Sequence, residues 1–312
     1  MPPSGEFAYI DWLRSRTPAD ARVLIGPGDD TAALRLTPNT STLVTTDMLL
    51  EGSCFILADA GPRRVGRKAM AVNLSDIAAM AGRPVAAVVS VGLPRGERRG
   101  VSPTWIAQEL YLGLRDVADA FDTALVGGDT NSWDGPLAIS VTVIGEATGS
   151  GPVRRSGARP GDWLFVTGAL GGSIRGHHLD FMPRIREALQ LHAAVELHAM
   201  IDISDGLAAD LAHVCEESRC GAVLRAEAIP ITDAARTMDD GKSPLDHALG
   251  DGEDFELLFA INPDDGRRLI AEQPVARVTL AHIGECTTEG LWLETTGRRE
   301  KLEPRGYVHA FD

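Results

Sequence analysis

The chain has 312 residues, 44% of them hydrophobic and 24% charged, enough for two domains with a sizeable core. Thirty Lys and Arg stand against 44 Asp and Glu, a formal net charge of −14, which excludes a nonspecific nucleic-acid binder. Such a chain also repels a phosphate ligand unless cations intervene.

Four cysteines (Cys54, Cys215, Cys220, Cys286) form no CxxC pair, so neither a zinc site nor a disulfide framework is expected and a cytoplasmic setting is the default. The first residues show no basic-then-apolar signal region, and no apolar run approaches a membrane span.

In chain order, Glu6 to Arg16 reads as a helix with Phe7, Ile10 and Leu13 on one face. Short strands at 22–25 and 32–36 flank the turn Gly26-Pro27-Gly28-Asp29-Asp30-Thr31. Two adjacent carboxylates in a glycine turn are either a solvated turn or a ligand site. Thr42 to Asp47 is a β-branched run ending on a carboxylate, and Pro62 to Ala81 a long helix stopped by Gly82 and Pro84. Asn73 and Asp76 share one face of that helix, among Ala, Met, Leu and Ile.

Val85–Val91 is a nearly all-apolar strand, Pro103–Phe121 an amphipathic helix, and 123–126 a strand leading into Gly127-Gly128-Asp129-Thr130. Leu137–Ile144 alternates as a strand. A boundary near Gly149-Ser150-Gly151-Pro152 divides a domain over 1–149 from one over 150–312. The second half reads as a strand at 163–166, helical segments to about Ala199, and a strand at 200–203 breaking into a helix that ends near Ser218. A strand at 222–229, another at 255–261, a helix at 263–272 and strands at 275–284 and 291–295 follow. Strands and helices mix without strict alternation, which gives an α/β or α+β fold with two layers per domain.

Carboxylates recur at strand ends: Asp29 and Asp30, Asp47, Asp129, Asp202 and Asp205, and Asp251, Glu253 and Asp254. Each alone has a bland reading as a turn or a helix cap. Together, with few basic partners, they suit hard divalent cations. Mg²⁺ takes oxygen ligands from a few carboxylates, waters and substrate phosphates. The residues thus point to phosphate chemistry on several Mg²⁺ ions. Gly61-Pro62-Arg63-Arg64-Val65-Gly66-Arg67-Lys68-Ala69 only approximates a Walker A loop, and the protein-kinase, GxSxG and HExxH signatures are missing. His177 and His178, adjacent in a helix, read as surface residues, as do Arg175 and Arg184 unless they meet an acceptor.

Read together and in register, several segments resemble one family: Gly26-x-Gly28-Asp29-Asp30, Thr45-Thr46-Asp47-x-x-x-Glu51-Gly52, the helix from Lys68 to Met80, Val126-Gly127-Gly128-Asp129-Thr130, Arg155-Ser156-Gly157, Asp202-Ile203-Ser204-Asp205-Gly206 and Gly252-Glu253-Asp254-Phe255-Glu256-Leu257. This is the thiamine-monophosphate kinase family, similar in turn to aminoimidazole ribonucleotide synthetase and selenophosphate synthetase. The resemblance runs from Gly5 to Tyr307.

It implies a two-domain fold, dimeric through the N-terminal sheets, that binds ATP without a P-loop and transfers its γ-phosphoryl group to thiamine monophosphate. By motif it implies Mg²⁺ ligands at Asp30, Thr45, Thr46, Asp47, Asp76, Asp129, Asp202 and Asp205, with Asp30, Asp47, Asp129 and Asp205 catalytic. Gly128, Asp129, Arg155 and Ser204 would contact ATP; Cys54, Glu253 and Tyr307 would lie at the thiamine end.

The chain departs from the family at Cys54, where His is usual, and at Asp251, where Gly is usual; its 168–200 segment is also short. A relative with another acceptor, or an idle Mg-nucleotide-binding paralogue, are the alternatives. The first 30 residues hold neither Cys nor Lys, which argues against selenophosphate synthetase itself.

Overall fold

The computed structural model describes residues 6–97, 100–275 and 278–307, so Gly5 and His309 lie outside the described residues. The chain divides into two compact units: one of Met1–Ile77 with Arg83–Ala147, the other of Ala78–Gly82 with Thr148–Asp312.

Unit 1 begins with α1 (Glu6–Arg14), then a hairpin of β1 (Val23–Ile25) and β2 (Ala33–Leu34) that carries the Asp29-Asp30 turn. β3 (Thr42–Leu50), α2 (Leu57–Ala60), α3 (Pro62–Ala79), β4 (Arg83–Pro94), α4 (Pro103–Ala118), β5 (Ala124–Trp133) and β6 (Ala138–Glu146) follow. The four long strands form one sheet in the order β3-β6-β4-β5, antiparallel except for the β4/β5 pair.

α4 starts where the sequence directs it. Ser102 accepts the Trp105 N–H at 3.2 Å and Pro103 takes the first turn, where its missing N–H costs nothing. α3 and α4 touch backbone to backbone, because a Cβ on Gly113 would lie 1.9 Å from the Arg63 carbonyl and one on Gly66 2.2 Å from the Leu110 carbonyl. The sequence reading ends a strand before Gly127-Gly128-Asp129-Thr130, whereas β5 runs straight through it. Gly128 explains the difference. Its φ is +157°, and a Cβ there would meet the Val89 carbonyl at 1.9 Å, so glycine lets β5 close on β4.

Unit 2 carries β7 (Trp163–Thr167), α5 (His177–Asp180), α6 (Ile185–Ala194), β8 (Ala199–Asp202), α7 (Leu207–Ser218), β9 (Gly221–Arg225), α8 (Asp233–Arg236), α9 (Pro244–Gly250), β10 (Leu257–Ile261), α10 (Pro263–Glu272), β11 (Leu280–Thr287), β12 (Leu291–Thr295) and β13 (Arg298–Lys301). Its seven-stranded sheet has the order β13-β12-β9-β11-β7-β10-β8, with β12/β9 the parallel pair. Leu207, Leu211 and Val214 of α7 bury one apolar stripe against Leu164, Val166, Ile201 and Leu258 of the sheet. Each such side chain contributes roughly 1.5–3 kcal/mol when fully buried.

The sequence reading starts a strand at Val275. The strand begins at Leu280, and Ala276 and Arg277 lie outside the described residues. Nothing in the apolar pattern signals β13, whose Arg-Arg-Glu-Lys is wholly exposed; charged side chains are usual on an edge strand.

Candidate functional site

β3 alternates strictly. Leu43 and Leu49 are buried, while Val44, Met48 and Leu50 are exposed on the opposite face. Thr45 and Asp47 share the face of Leu43 and Leu49, and that face meets α3. The Thr45 hydroxyl donates to the Asp76 carboxylate, and the Asp47 N–H donates to Asn73 Oδ1 at 3.0 Å. Asn73 is itself held by its Nδ2, which donates to the Ala69 carbonyl at 3.0 Å. Burial, and then repulsion from Asp76, pushes Asp47 up to about 6. Two carboxylates facing each other beside a hydroxyl is a donor set that a hard cation relieves. Further along the same helix, the buried Lys68 ammonium donates to the Cys54 carbonyl at 2.8 Å, so Cys54 lies on the same β3–α3 seam.

Thr46 does not join this group. Its side chain stands on the other face, where the hydroxyl donates to the Val141 carbonyl at 3.1 Å and accepts from Thr142 at 2.9 Å. The Thr46 hydroxyl therefore stands away from the Asp47 and Asp76 carboxylates, for a one-residue step in a strand reverses the face.

Asp30 and Asp129 line a second place, a cleft of about 490 Å³ that also has Gly128 and Asp29 on its wall. Part of the wall is apolar, with Ile10 and Leu13 of α1 and Leu110 and Leu114 of α4, while Arg14, Thr17 and Thr130 add polar groups. Asp29 Oδ1 accepts the Asp30 N–H at 2.9 Å and so builds the turn, and both side chains are exposed. Asp129 lies in the register row Asp129–Ser90–Ser140–Met48, and Asp47 in the row Gly128–Val89–Val141–Asp47. The two carboxylates are thus three strand spacings apart, about 14 Å, in rows that face opposite ways. Among the described residues no three His, Cys, Asp or Glu side chains converge closely enough to hold an ion by themselves. The acidic residues of unit 1 therefore form a seam pair and a cleft pair, not one cage.

In unit 2, β8 ends on Asp202, which is 3% exposed, and the chain turns through Ser204-Asp205-Gly206 into α7. Every backbone polar group of Ser204 and Asp205 is spoken for. Both N–H groups, and that of Gly206, donate to Asp210 Oδ2 at 3.0–3.1 Å. The Ser204 carbonyl accepts from Glu253 N–H at 2.8 Å, and the Asp205 carbonyl from Tyr307 N–H at 3.0 Å. These hydrogen bonds bring Ser204, Asp205, Glu253 and Tyr307 together. The loop they close is strained, since Glu253 and Phe255 have φ of +55° and +50°. Left-handed conformations cost about 1–3 kcal/mol each for such residues and persist where the surroundings fix them. Here Ser173 Oγ donates to the Gly252 carbonyl at 2.6 Å, and Gly171 N–H to the Asp254 carboxylate at 2.9 Å.

Arg155 is not part of this group within unit 2. Its carbonyl accepts from Ser218 Oγ at 3.2 Å, at the far end of α7. A helix of that length places it about 18 Å from the Ser204 turn.

Two surface readings are corrected. His178 is 8% exposed, and its Nδ1 is 2.8 Å from the Ser173 carbonyl. Arg184 is held inside by Glu256, its Nε donating to the carboxylate at 2.7 Å and its Nη2 to the other oxygen. The segment 168–200 therefore braces the acidic loop. Sequence reading missed Asp210, which burial and then repulsion from Asp202 and Asp205 push up to about 7. The signal was available: Asp210 sits among Leu207, Ala208 and Leu211, the same anomaly that singled out Asp76.

Known proteins share this architecture. The model of the AIR synthase related protein, N-terminal domain, matches residues 28–147, and that of the corresponding C-terminal domain matches 159–291. The thiamine-monophosphate kinase of Rhodopirellula baltica is 39% identical over 315 residues, 97% of each chain. The crystal structure of thiamine-monophosphate kinase from Stenotrophomonas maltophilia K279a superposes with a TM-score of 0.79 at 34% identity, covering 94% of this chain and 97% of that one. The structure of AaThiL complexed with AMPPCP and TMP gives 0.71 at 30% identity, covering 98% and 97%. Matched by both domain models and by these relatives over nearly its whole length, the chain belongs to the thiamine-monophosphate kinase family.

Proposed function

We propose that this chain is an ATP-dependent phosphotransferase that converts thiamine monophosphate to thiamine diphosphate. The observation that carries the reading is the likeness over nearly the whole chain to thiamine-monophosphate kinases, one relative of the family having been solved as AaThiL complexed with AMPPCP and TMP. The cleft of unit 1 suits a nucleotide, with an apolar wall for a base and an acidic rim at Asp30 and Asp129.

The donor sets fit Mg²⁺, which is satisfied by one or two carboxylates completed by water and phosphate. Asp47 and Asp76 with Thr45, Asp30 with Asp129, and Asp202 with Asp205 would hold it. Bound there, Mg²⁺ supplies the charge neutralisation that phosphoryl transfer requires. The protein's own residues do the positioning. Asn73 fixes the backbone at Asp47, Asp29 fixes the turn that presents Asp30, the pairing of 203–204 with 253–256 fixes Glu253, and Asp210 and Tyr307 fix the backbone of Asp205. Transfer is direct, with no phosphorylated protein residue on the path. Arg155 contributes to ATP from outside the Ser204 group, and Cys54, Glu253 and Tyr307 serve the thiamine end. Residues 1–149 form the metal- and ATP-binding domain, and 150–312 a second α/β domain.

The chain acts as a homodimer through the exposed face of β3, where Val44 and Met48 are 67% and 64% exposed. It works in the cytoplasm. In support, all four cysteines are free, and among the described residues no helix is long and apolar enough to cross a membrane.

The test is turnover: purified protein with ATP, Mg²⁺ and thiamine monophosphate should yield thiamine diphosphate, and a chelator should abolish the yield. Binding of Mg-ATP without product would assign a different acceptor.

A further inference from the structure

The start of a helix with free N–H groups ordinarily attracts phosphate, and the sequence of the Ser204 turn suggests such a cradle. The structure fills it from within. Ser204, Asp205 and Gly206 aim three consecutive N–H groups at a single point, and Asp210 Oδ2 occupies that point. Asp210 reaches back from one turn into α7, and its own N–H donates to the Gly206 carbonyl at 2.9 Å. It is 1% exposed, so no solvent or ligand competes for the oxygen. The carbonyls of Ser204 and Asp205 are taken by Glu253 and Tyr307. What the turn still offers is its two half-buried side chains, the Ser204 hydroxyl and the Asp205 carboxylate.

We propose that Asp210 is a positioning residue that closes the N–H nest of the Ser204–Gly206 turn to anions and locks Ser204 and Asp205 outward as side-chain donors. The proposal deepens the phosphotransferase reading and rests on it for the roles of Ser204 and Asp205. Its physical content is independent of that reading: three N–H groups that would bind an anion are bound to an internal carboxylate instead. A phosphate group then meets this turn only through a cation or the serine hydroxyl. Asp210→Ala should open the nest, and Asp210→Asn, which keeps one acceptor oxygen at the same place, should keep it mostly shut.

The whole chain is compared as wild type, D210A and D210N. Amide exchange at 204–206 should accelerate at least about tenfold in D210A while the amides of the later turns of α7 hold. Titration with inorganic phosphate should shift those three amide resonances in D210A and leave them unmoved in wild type. In turnover, kcat of D210A should fall at least about tenfold with KM for ATP within about threefold, and D210N should recover most of the loss. A wild-type turn that responds to phosphate, or D210A with wild-type kcat, overturns the proposal. If D210A does not fold, D210N decides: exchange at 204–206 faster by about threefold, with kcat reduced in step, supports it, and wild-type values of both overturn it. Should the wild type itself make no thiamine diphosphate, the functional reading fails while the exchange and phosphate titrations still judge Asp210.

Discussion

Replacing Glu256 by Gln should unfold the bracing of the acidic loop. Glu256 is 3% exposed, and its carboxylate accepts Thr167 Oγ1 at 2.6 Å together with the Arg184 fork. An amide in its place turns one acceptor into a donor facing donors, and leaves the guanidinium without its main counter-charge. Breaking a buried ion pair by removing one partner costs about 3–5 kcal/mol. Arg184 keeps 22% side-chain exposure and has Glu187 at 3.7 Å as a second anion, so the cost is discounted for solvent screening to about 2–3 kcal/mol. For a unit of this size that is a fall of about 5–10 °C in Tm.

The double variant Arg184→Met, Glu256→Leu removes both charges and should recover most of that loss, since a buried ion pair replaced by apolar side chains is often neutral. Scanning calorimetry on the wild type, Arg184→Met, Glu256→Leu and the double variant closes the cycle, with coupling of about 2 kcal/mol as the expected result. A Glu256→Gln midpoint within about 1 °C of wild type would refute the reasoning, because the pair would then be solvated and Arg184 a surface residue after all.

Three further outcomes are expected. Asp30→Asn should lower kcat/KM by about 100-fold and Asp29→Asn by far less, since the latter only weakens a turn hydrogen bond; equal losses contradict the division of roles. Cys54→His, measured by initial rates against thiamine monophosphate, should lower KM by up to about tenfold through one added donor to a charged group, and an unchanged KM would remove this position from the acceptor site. His282 should add an acid-sensitive component to stability. Burial, and then Arg225, pull its imidazole down to about 4, while the Gly284 carbonyl opposes the shift. Between about 6.5 and 4 the unfolded chain therefore binds more protons than the folded one, and stability is complete above 6.5 and falls as pH drops through that window. Being partly exposed, the group accounts for about 1–2 kcal/mol of it. His282→Phe preserves the stack on Trp163, whose ring centroid is 4.0 Å away, and should flatten the slope of urea-derived stability against pH; superimposed slopes would be inconsistent with a buried neutral imidazole.

Much of the site was legible because its chemistry is written in residue type. Aspartates after β-branched runs, with few cations beside them, announce oxygen ligands wherever they fold. The alternation Leu43, Thr45, Asp47, Leu49 fixes which side chains share a face, and the spacing of Asn73 and Asp76 puts both on one side of α3. The motif Thr45-Thr46-Asp47 was nevertheless read as a unit, and period two divides it.

The sequence by itself determined most of the elements, the apolar faces and the identity of the acidic residues, because these follow from local periodicity and turn chemistry; the charged edge strand β13 and the run of β5 through Gly128 do not. Tertiary structure decided which of them meet. Asp47 and Asp129 both end apolar runs, yet sheet order sets three strand spacings between them, and strand order is not encoded in either run. Arg184 looked like surface until Glu256, just before β10, was brought beside it. The Ser204 turn looked open to anions until Asp210 folded back onto its three N–H groups. In each case a polar group's role depends on the partner that reaches it, and that partner is chosen by the path of the backbone in space.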